Sequence, residues 1–372
     1  MSATSSSRSQ RGFSTKRQHG LSLVELMISL TIGLVLLLGI TTLIVQQSQT
    51  RDEMEKSSRQ IENGRYAMQI LHDDIEHAGF YGYYLPPAAT GSLPDPCSTT
   101  TSILDAAMSL PIQGYNNVLP TASFTCTLDG ASSSNNANNY LAGTDILVIR
   151  RADTLSFNNP ALAASSVTYL QTGYEGTNPA AVPTASHVLA TGPDTSASIF
   201  TLIKKPPTNL TPADMRIYIT RIYFISPCSV PAGGGTSCTG VNDDNGRPIP
   251  TLKRLDLSAT GFSVTPLVEG IENMQLDYGI DTNLDGYPES YSTCSTCTTA
   301  ADWFNVMAIR INLLARNTEC TTGYTDTKSY DLGGGAASAP APAVTCTNGD
   351  YKRHVFTELV RAINPSGRRA QQ

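Results

Sequence analysis

Leu21 to Val45 is an almost unbroken apolar run whose one charged side chain is Glu25. From Leu26 to Val45 nothing ionisable interrupts it, and as a helix that stretch is about 30 Å long, the thickness of a bilayer core. Past it the apolar positions thin to a helical repeat. Met54, Ile61, Met68 and Ile75 recur at heptad spacing with Leu71 and Ala78 alongside, while Glu53, Lys56, Arg59, Glu62 and Asp73 fill the other faces. That pattern predicts an amphipathic helix packed by one stripe. It fades at Gly79 in HAGFYGYYLPP, where glycine and then two prolines close it. A single helix from Leu21 to about Ala78 would be roughly 85 Å long.

After Pro86 the period changes. TDILVIRRA (144–152), SIFTLIK (198–204), RIYITRIYFIS (216–226), TLKRLDLS (251–258), ENMQLDYGI (272–280), FNVMAIRINLLAR (304–316) and KRHVFTELVRAI (352–363) cluster or alternate β-formers between turn residues and predict strands. PAGGGTSC and DLGGGAASAPAPAV read as Gly- or Ala/Pro-rich loops. Neither is a phosphate loop, since no Gly-Lys-Ser/Thr follows. No internal repeat is present.

Composition narrows the class. The chain has 372 residues, 40% of them hydrophobic and 15% charged, which suits a globular protein and excludes collagen-like or wholly disordered chains. A net charge of −6 argues against nucleic acid as a direct partner. Cysteines stand at 97, 126, 228, 238, 294, 297, 320 and 346, an even count in Thr/Ser-rich surroundings that reads as disulfides in an oxidising compartment. Connectivity stays open; pairing each cysteine with its neighbour in sequence gives Cys97–Cys126, Cys228–Cys238, Cys294–Cys297 and Cys320–Cys346.

The residues before the apolar run include Arg8, Arg11, Lys16 and Arg17 and no acidic side chain. That bias keeps the amino end cytoplasmic and sends the remainder outward. No A-x-A site closes the run, so any cleavage is expected before it. Gly20 followed by LSLVEL resembles the class III signal of type IV pilins and their relatives, although that family most often has Phe where this chain has Leu21. The resemblance implies that a prepilin peptidase cuts between Gly20 and Leu21 and methylates the Leu21 amine. Glu25 then becomes the fifth residue of the mature chain. A carboxylate one turn from a charged amine suits the positive end of the helix dipole. In the filament core of that family, Glu25 of one subunit would pair with the Leu21 amine of its neighbour. A mis-registered subunit would bury an unpaired charge at a cost of roughly 3–5 kcal/mol, which makes Glu25 a register selector for assembly.

ENGRYAMQILHDDIEHAGFYG (62–82), LVEGIENMQLDYGIDTNLDGYPE (267–289), VMAIRINLLAR (306–316) and HVFTELVRAIN (354–364) resemble, more narrowly, the PilW family of type IV pilus minor pilins. The resemblance implies an α+β, pilin-like fold: a long amino-terminal helix packed on an antiparallel β-sheet head with long disulfide-tied loops. It divides the chain into a prepilin leader (1–20), a transmembrane and filament-core helix (21–45), its amphipathic continuation (46–79) and a β-rich periplasmic or extracellular head (80–372). The implied partners are other minor pilins, the major pilin, a tip adhesin, the prepilin peptidase and the inner-membrane assembly platform. The implied role is pilus biogenesis, with twitching motility and adhesion downstream. A type II secretion pseudopilin would share the signal, Glu25 and the fold, and a membrane-anchored binding or enzymatic domain could carry the same signal.

DTNLDGYPE sets Asp281, Asn283 and Asp285 at alternate positions, followed by Gly286 and Glu289. Oxygen donors at that spacing, with the Tyr287 carbonyl, can wrap a hard cation such as Ca2+, and glycine permits the turn. The place of the usual bidentate Glu is Ser292, and a polar hairpin turn gives the same string. Cys294-x-x-Cys297 also admits zinc or redox readings, but zinc needs two more ligands and a redox pair wants a βαβ setting. No nucleophile elbow, H-E-x-x-H, Walker loop or dinucleotide fingerprint occurs, and Asp73 and Asp74, on consecutive helix positions, need no catalytic role. No enzyme activity is expected.

Overall fold

The structure is a computed structural model that describes residues 20, 22–117, 140–159, 163–175, 184–192, 199–204, 211–235, 237–240, 242–258, 261–334, 337–338 and 349–369. It divides into two units, Met1–Glu55 and Lys56–Gln372. In its described residues the first unit is the opening part of helix α1 (Leu23–Glu76). Every side chain from Leu23 to Val45 is exposed within the chain, so this stretch is apolar on all sides, as in a helix surrounded by lipid or by other helices. Its threonines return their hydroxyls to the backbone: Thr31 Oγ1 donates to the Ile28 carbonyl at 2.9 Å and Thr42 Oγ1 to the Gly39 carbonyl at 2.8 Å. That keeps the apolar surface free of unpaired donors.

The second unit holds the rest of α1 and then helix α2 (Thr101–Ala107) and strands β1 (Ile112–Tyr115), β2 (Ile146–Ala152), β3 (Thr168–Glu175), β4 (Thr184–Thr191), β5 (Met215–Ser226), β6 (Thr251–Ser258), β7 (Gly261–Glu269), β8 (Ile271–Ile280) and β9 (Ser290–Ser292). Helix α3 (Ala300–Phe304), β10 (Val306–Arg316), the short strands β11 (Thr321–Thr322), β12 (Tyr330–Asp331), β13 (Ala337–Ser338) and β14 (Gly349–Asp350), then β15 (Arg353–Arg361) and helix α4 (Ile363–Arg369) complete it. β1, β2, β5, β3 and β4 run in that order through a sheet of 7 strands, with β6 and β7 added beside β5. One edge of β5 takes β2, and the other takes β3 at its start and β6 at its end. A second sheet of 4 strands has the order β15-β10-β8-β9, and all its pairings are antiparallel.

The buried stripe of α1 is Gln60, Gly64, Ala67, Met68, Leu71, Asp74 and Ile75, a spacing of three and four that holds one helix face inward. It shares a core with Leu147, Ile149, Tyr223 and Ile225 of the larger sheet and with Met274, Leu276, Ile309, Ile311 and Leu313 of the smaller. Met68, Leu71, Ile75 and Ala78 are buried as the heptad spacing predicts, but Met54 and Ile61 are exposed. Gln60 and Gly64 take the inward places instead. The Gln60 amide donates to two main-chain carbonyls, Ala315 at 2.7 Å and Lys352 at 3.0 Å, and Gly64 leaves room for the Phe356 ring. Gly79, with φ +72, follows the helix end, where only glycine is at ease.

Strand expectations are met for β2, β5, β6, β8, β10 and β15. Among the described residues of SIFTLIK only Ile203 makes bridges, to Tyr174 and Pro212. The side chain of Gln171 replaces a ladder there, accepting from Leu202 N–H at 3.1 Å and donating to the Leu202 carbonyl at 3.4 Å. β3, β4 and β7 lacked a legible pattern; β7 carries Pro266, accommodated where its register with β6 shifts.

Filling the Gly64 notch tests the packing. A Cβ there would stand 2.1 Å from Phe356 Cε2. Overpacking costs roughly 1–3 kcal/mol, and the better helix former returns up to ~1 kcal/mol. Gly64→Ala should therefore lower denaturant stability by about 1–2 kcal/mol, and the loss should vanish when Phe356→Leu is combined with it.

Candidate functional site

Three groups of polar residues stand out, and they differ in what they can do. At the amino end, Glu25 lies in the first turn of α1. Gly20 is described and open to solvent, whereas Leu21 lies outside the described residues. The apolar helix above them is long enough to cross a membrane.

The second group is the Asp281–Glu289 loop between β8 and β9. Asp281 is fully buried and accepts from Leu284 N–H at 2.6 Å and Gly286 N–H at 2.9 Å. Asn283 accepts from Asp285 N–H at 3.0 Å, and Asp285 accepts from Tyr287 N–H at 2.8 Å. Glu289 closes the loop by accepting from Thr282 N–H at 2.7 Å and its hydroxyl at 3.0 Å. Those donors hold the exposed Glu289 carboxyl below its ordinary range. Gly286, at φ +87, makes the turn, and Arg361 stacks on the Tyr287 ring at 4.5 Å and donates to the Gly286 carbonyl at 3.3 Å. Asp281, Asp285 and Glu289 each bring a carboxylate oxygen within 4.8 Å of the others. Three anionic oxygens at that spacing suit one hard divalent cation. Ser292 sits in β9 opposite Tyr278.

The third group was not legible in the sequence. Asp74 is buried and faces Arg151 Nε at 3.0 Å and Arg221 Nη1 at 2.6 Å, and Tyr223 donates its hydroxyl to the second oxygen. Arg221 also reaches Asp256 at 3.2 Å, which holds Arg254 at 2.9 Å. Burial alone would raise the Asp74 carboxyl, but Arg221, then Arg151 and the Tyr223 hydroxyl, hold it below its ordinary value. The network floors a groove of 540 Å³ in which Arg151, Arg221 and Arg254 are balanced by Asp73, Asp74 and Asp153. That balance makes the groove a strut between α1 and the larger sheet and not an anion site.

Among the described residues the cysteines are disulfide-bonded. Cys228 is bonded to Cys238, and Cys294 to Cys297. The sulfurs of the C-x-x-C are thus spent on each other and unavailable to zinc, and Trp303 Nε1 donates to the Cys297 carbonyl at 3.1 Å. Cys97 and Cys320 are disulfide-bonded too, and Cys126 and Cys346 lie outside the described residues. The Cys228–Cys238 loop is set by Asp243, which accepts from Ala232 N–H at 2.8 Å, Thr239 N–H at 2.6 Å and Gly240 N–H at 2.7 Å.

An apolar helix with a carboxylate in its first turn and an antiparallel α+β head together fit the pilin-like fold class. The model of the prokaryotic N-terminal methylation motif matches residues 15–41, the stretch that holds Gly20, Leu21 and Glu25. Within the class, the model of PilW, the type IV pilus-assembly protein W, matches residues 239–364, bearing out the resemblance read from the sequence. That match takes in β8, β10, β15, the Asp281–Glu289 loop and the Cys294–Cys297 bridge. No curated protein and no solved structure matches the chain significantly.

Because folding lowers the Asp74 carboxyl below 3.8, its stabilisation is complete above that pH and is lost as pH falls through the lower folded value. Asp74→Asn should cost about 3 kcal/mol at neutral pH by stranding buried guanidinium charge. The difference from the unsubstituted chain should close in acid, as followed by urea unfolding across pH.

Proposed function

We propose that this chain is a minor pilin of the type IV pilus. Prepilin peptidase cuts between Gly20 and Leu21 and methylates the Leu21 amine. The chain waits in the bacterial inner membrane with its amino end cytoplasmic and its head periplasmic, then enters the extracellular pilus near the tip. It joins other minor pilins in priming assembly, alongside the major pilin, a tip adhesin and the assembly platform, and so supports biogenesis, twitching motility and adhesion. It is a structural subunit and not a catalyst, in keeping with the pilus families it matches. The observation that carries the reading is the methylation motif over residues 15–41 on an all-exposed apolar helix whose first turn holds Glu25. Glu25 pairs with the Leu21 amine of a neighbouring subunit and selects its register.

Mass spectrometry of sheared pili tests this. A peptide beginning at N-methylated Leu21 is expected, and Glu25→Ala should leave the chain in the membrane but deplete it from pili. Absence of the chain from pili, or normal incorporation of the variant, counts against the reading.

We propose also that the Asp281–Glu289 loop binds Ca2+ through Asp281, Asp285 and Glu289, with Asn283 and the Tyr287 carbonyl completing the oxygen set. The clustering of three carboxylates supports this. Titration calorimetry of the detergent-solubilised chain should show binding below about 1 mM Ca2+, within the range of extracellular modules, and Asp285→Ala should abolish it. No heat at that concentration dismisses the ion.

A further inference from the structure

β15 is the end strand of the smaller sheet: it pairs with β10 on one side, and among the described residues no strand pairs with the other. The register says which groups face outward. Ala362 N–H donates to the Met307 carbonyl at 2.9 Å, and that pair continues the β10–β15 ladder. Alternation along an antiparallel pair then turns the main-chain groups of His354, Phe356, Glu358 and Val360 toward β10, and those of Val355, Thr357 and Leu359 toward the open edge.

Soluble proteins blunt such edges with proline, lysine or a bulge. β7 is blunted in this way by Pro266 and its register shift. β15 is not: RHVFTELVR contains neither Pro nor Lys, and it pairs with β10 without a shift. Leu359 is 54% exposed. Beside the edge runs a groove of 420 Å³ lined by Arg65, Met68, Gln69 and His72 of α1 and by Phe356 and Glu358 of β15. An open edge supplies main-chain hydrogen bonds and an adjoining groove receives alternate side chains, the two parts of a strand-addition site.

We propose that the free edge of β15 receives an extended strand from a different pilus subunit, an inference that rests on the minor-pilin reading. A second copy fits poorly, because antiparallel pairing along the whole strand sets the acidic Glu358 of each copy beside the Phe356 ring of the other and brings no basic side chain to Glu358. The groove also states what the occupant carries. Met68 and Phe356 offer an apolar seat. His72 lies between Glu358 at 2.8 Å and Glu76 at 3.7 Å, so acidic groups bound that end of the groove. The incoming strand therefore places an apolar side chain over Met68 and Phe356 and a basic one beside Glu358.

Leu359→Pro tests the edge in the full chain, since it removes an outward N–H and leaves the bonds to β10 intact. The amount of chain in sheared pili should fall about 10-fold relative to Leu359→Ala, a change of roughly 1.4 kcal/mol, at an unchanged melting temperature. Equal incorporation of the two variants overturns the proposal. Should the proline variant melt early, amide exchange of the unsubstituted chain decides instead. The Val355, Thr357 and Leu359 amides should exchange about 100-fold more slowly in pili than in the detergent-solubilised chain, and equal rates overturn the proposal. If the unsubstituted chain is absent from pili, the minor-pilin reading falls as well; if it is present with fast edge amides, only the strand addition falls.

Discussion

The buried face of α1 is not uniformly greasy, and that irregularity governs how the head is built. Gln60, Gly64 and Asp74 interrupt a row of Ala67, Met68, Leu71 and Ile75, and each of the three has one place where it is satisfied. The Gln60 amide meets two carbonyls at the ends of β10 and β15, Gly64 fits the Phe356 ring, and Asp74 meets guanidinium groups from β2 and β5. A purely apolar stripe could slide by a turn at modest cost, whereas sliding this one leaves a carboxylate buried without its cations. Both sheets are thus referred to a single helix register, and the core they share follows from it.

What could be read in the sequence was what periodicity records. The uniform apolar run, the switch to β-rich segments and the strands β2, β5, β6, β8, β10 and β15 all carry their pattern locally. β7 hides its pattern behind Pro266, and SIFTLIK shows one that the Gln171 side chain overrides. The heptad reading of α1 favoured Met54 and Ile61 because they are apolar, yet Gln60 and Gly64 occupy the inward positions. The Asp281–Glu289 loop was legible because its donors are close in sequence. The Asp74 cluster was not, because its members lie 77 and 147 residues apart; nothing local marks Asp74 as different from Asp73.

The loops of the head follow one recurring device, a carboxylate that gathers main-chain N–H groups. Asp243 ties Ala232, inside the Cys228–Cys238 bridge, to Thr239 and Gly240 just after it. Asp244 does the same for Ser229, Val230 and Ile249, and Asp302 caps α3 together with Thr299. Glycine-rich and threonine-rich connections gain definition in this way without a large apolar core of their own. Disulfides fix where such loops begin and end, and the carboxylates set the path between.

These same carboxylates change how the protein meets an acid medium. Hydrogen bonds and cations hold Asp74, Asp243, Glu289, Asp302 and Asp326 below their ordinary ranges, so they keep their charge at a pH where free side chains have begun to lose it. Burial moves Asp145 the other way, to about 7, which offsets one charge among them. As the surroundings acidify, the negative charge of the head therefore declines more gradually than a count of Asp and Glu implies. Below the isoelectric point, near 5.4, the net charge is positive, so the carboxylates that stay ionised temper it and soften the repulsion between neighbouring molecules.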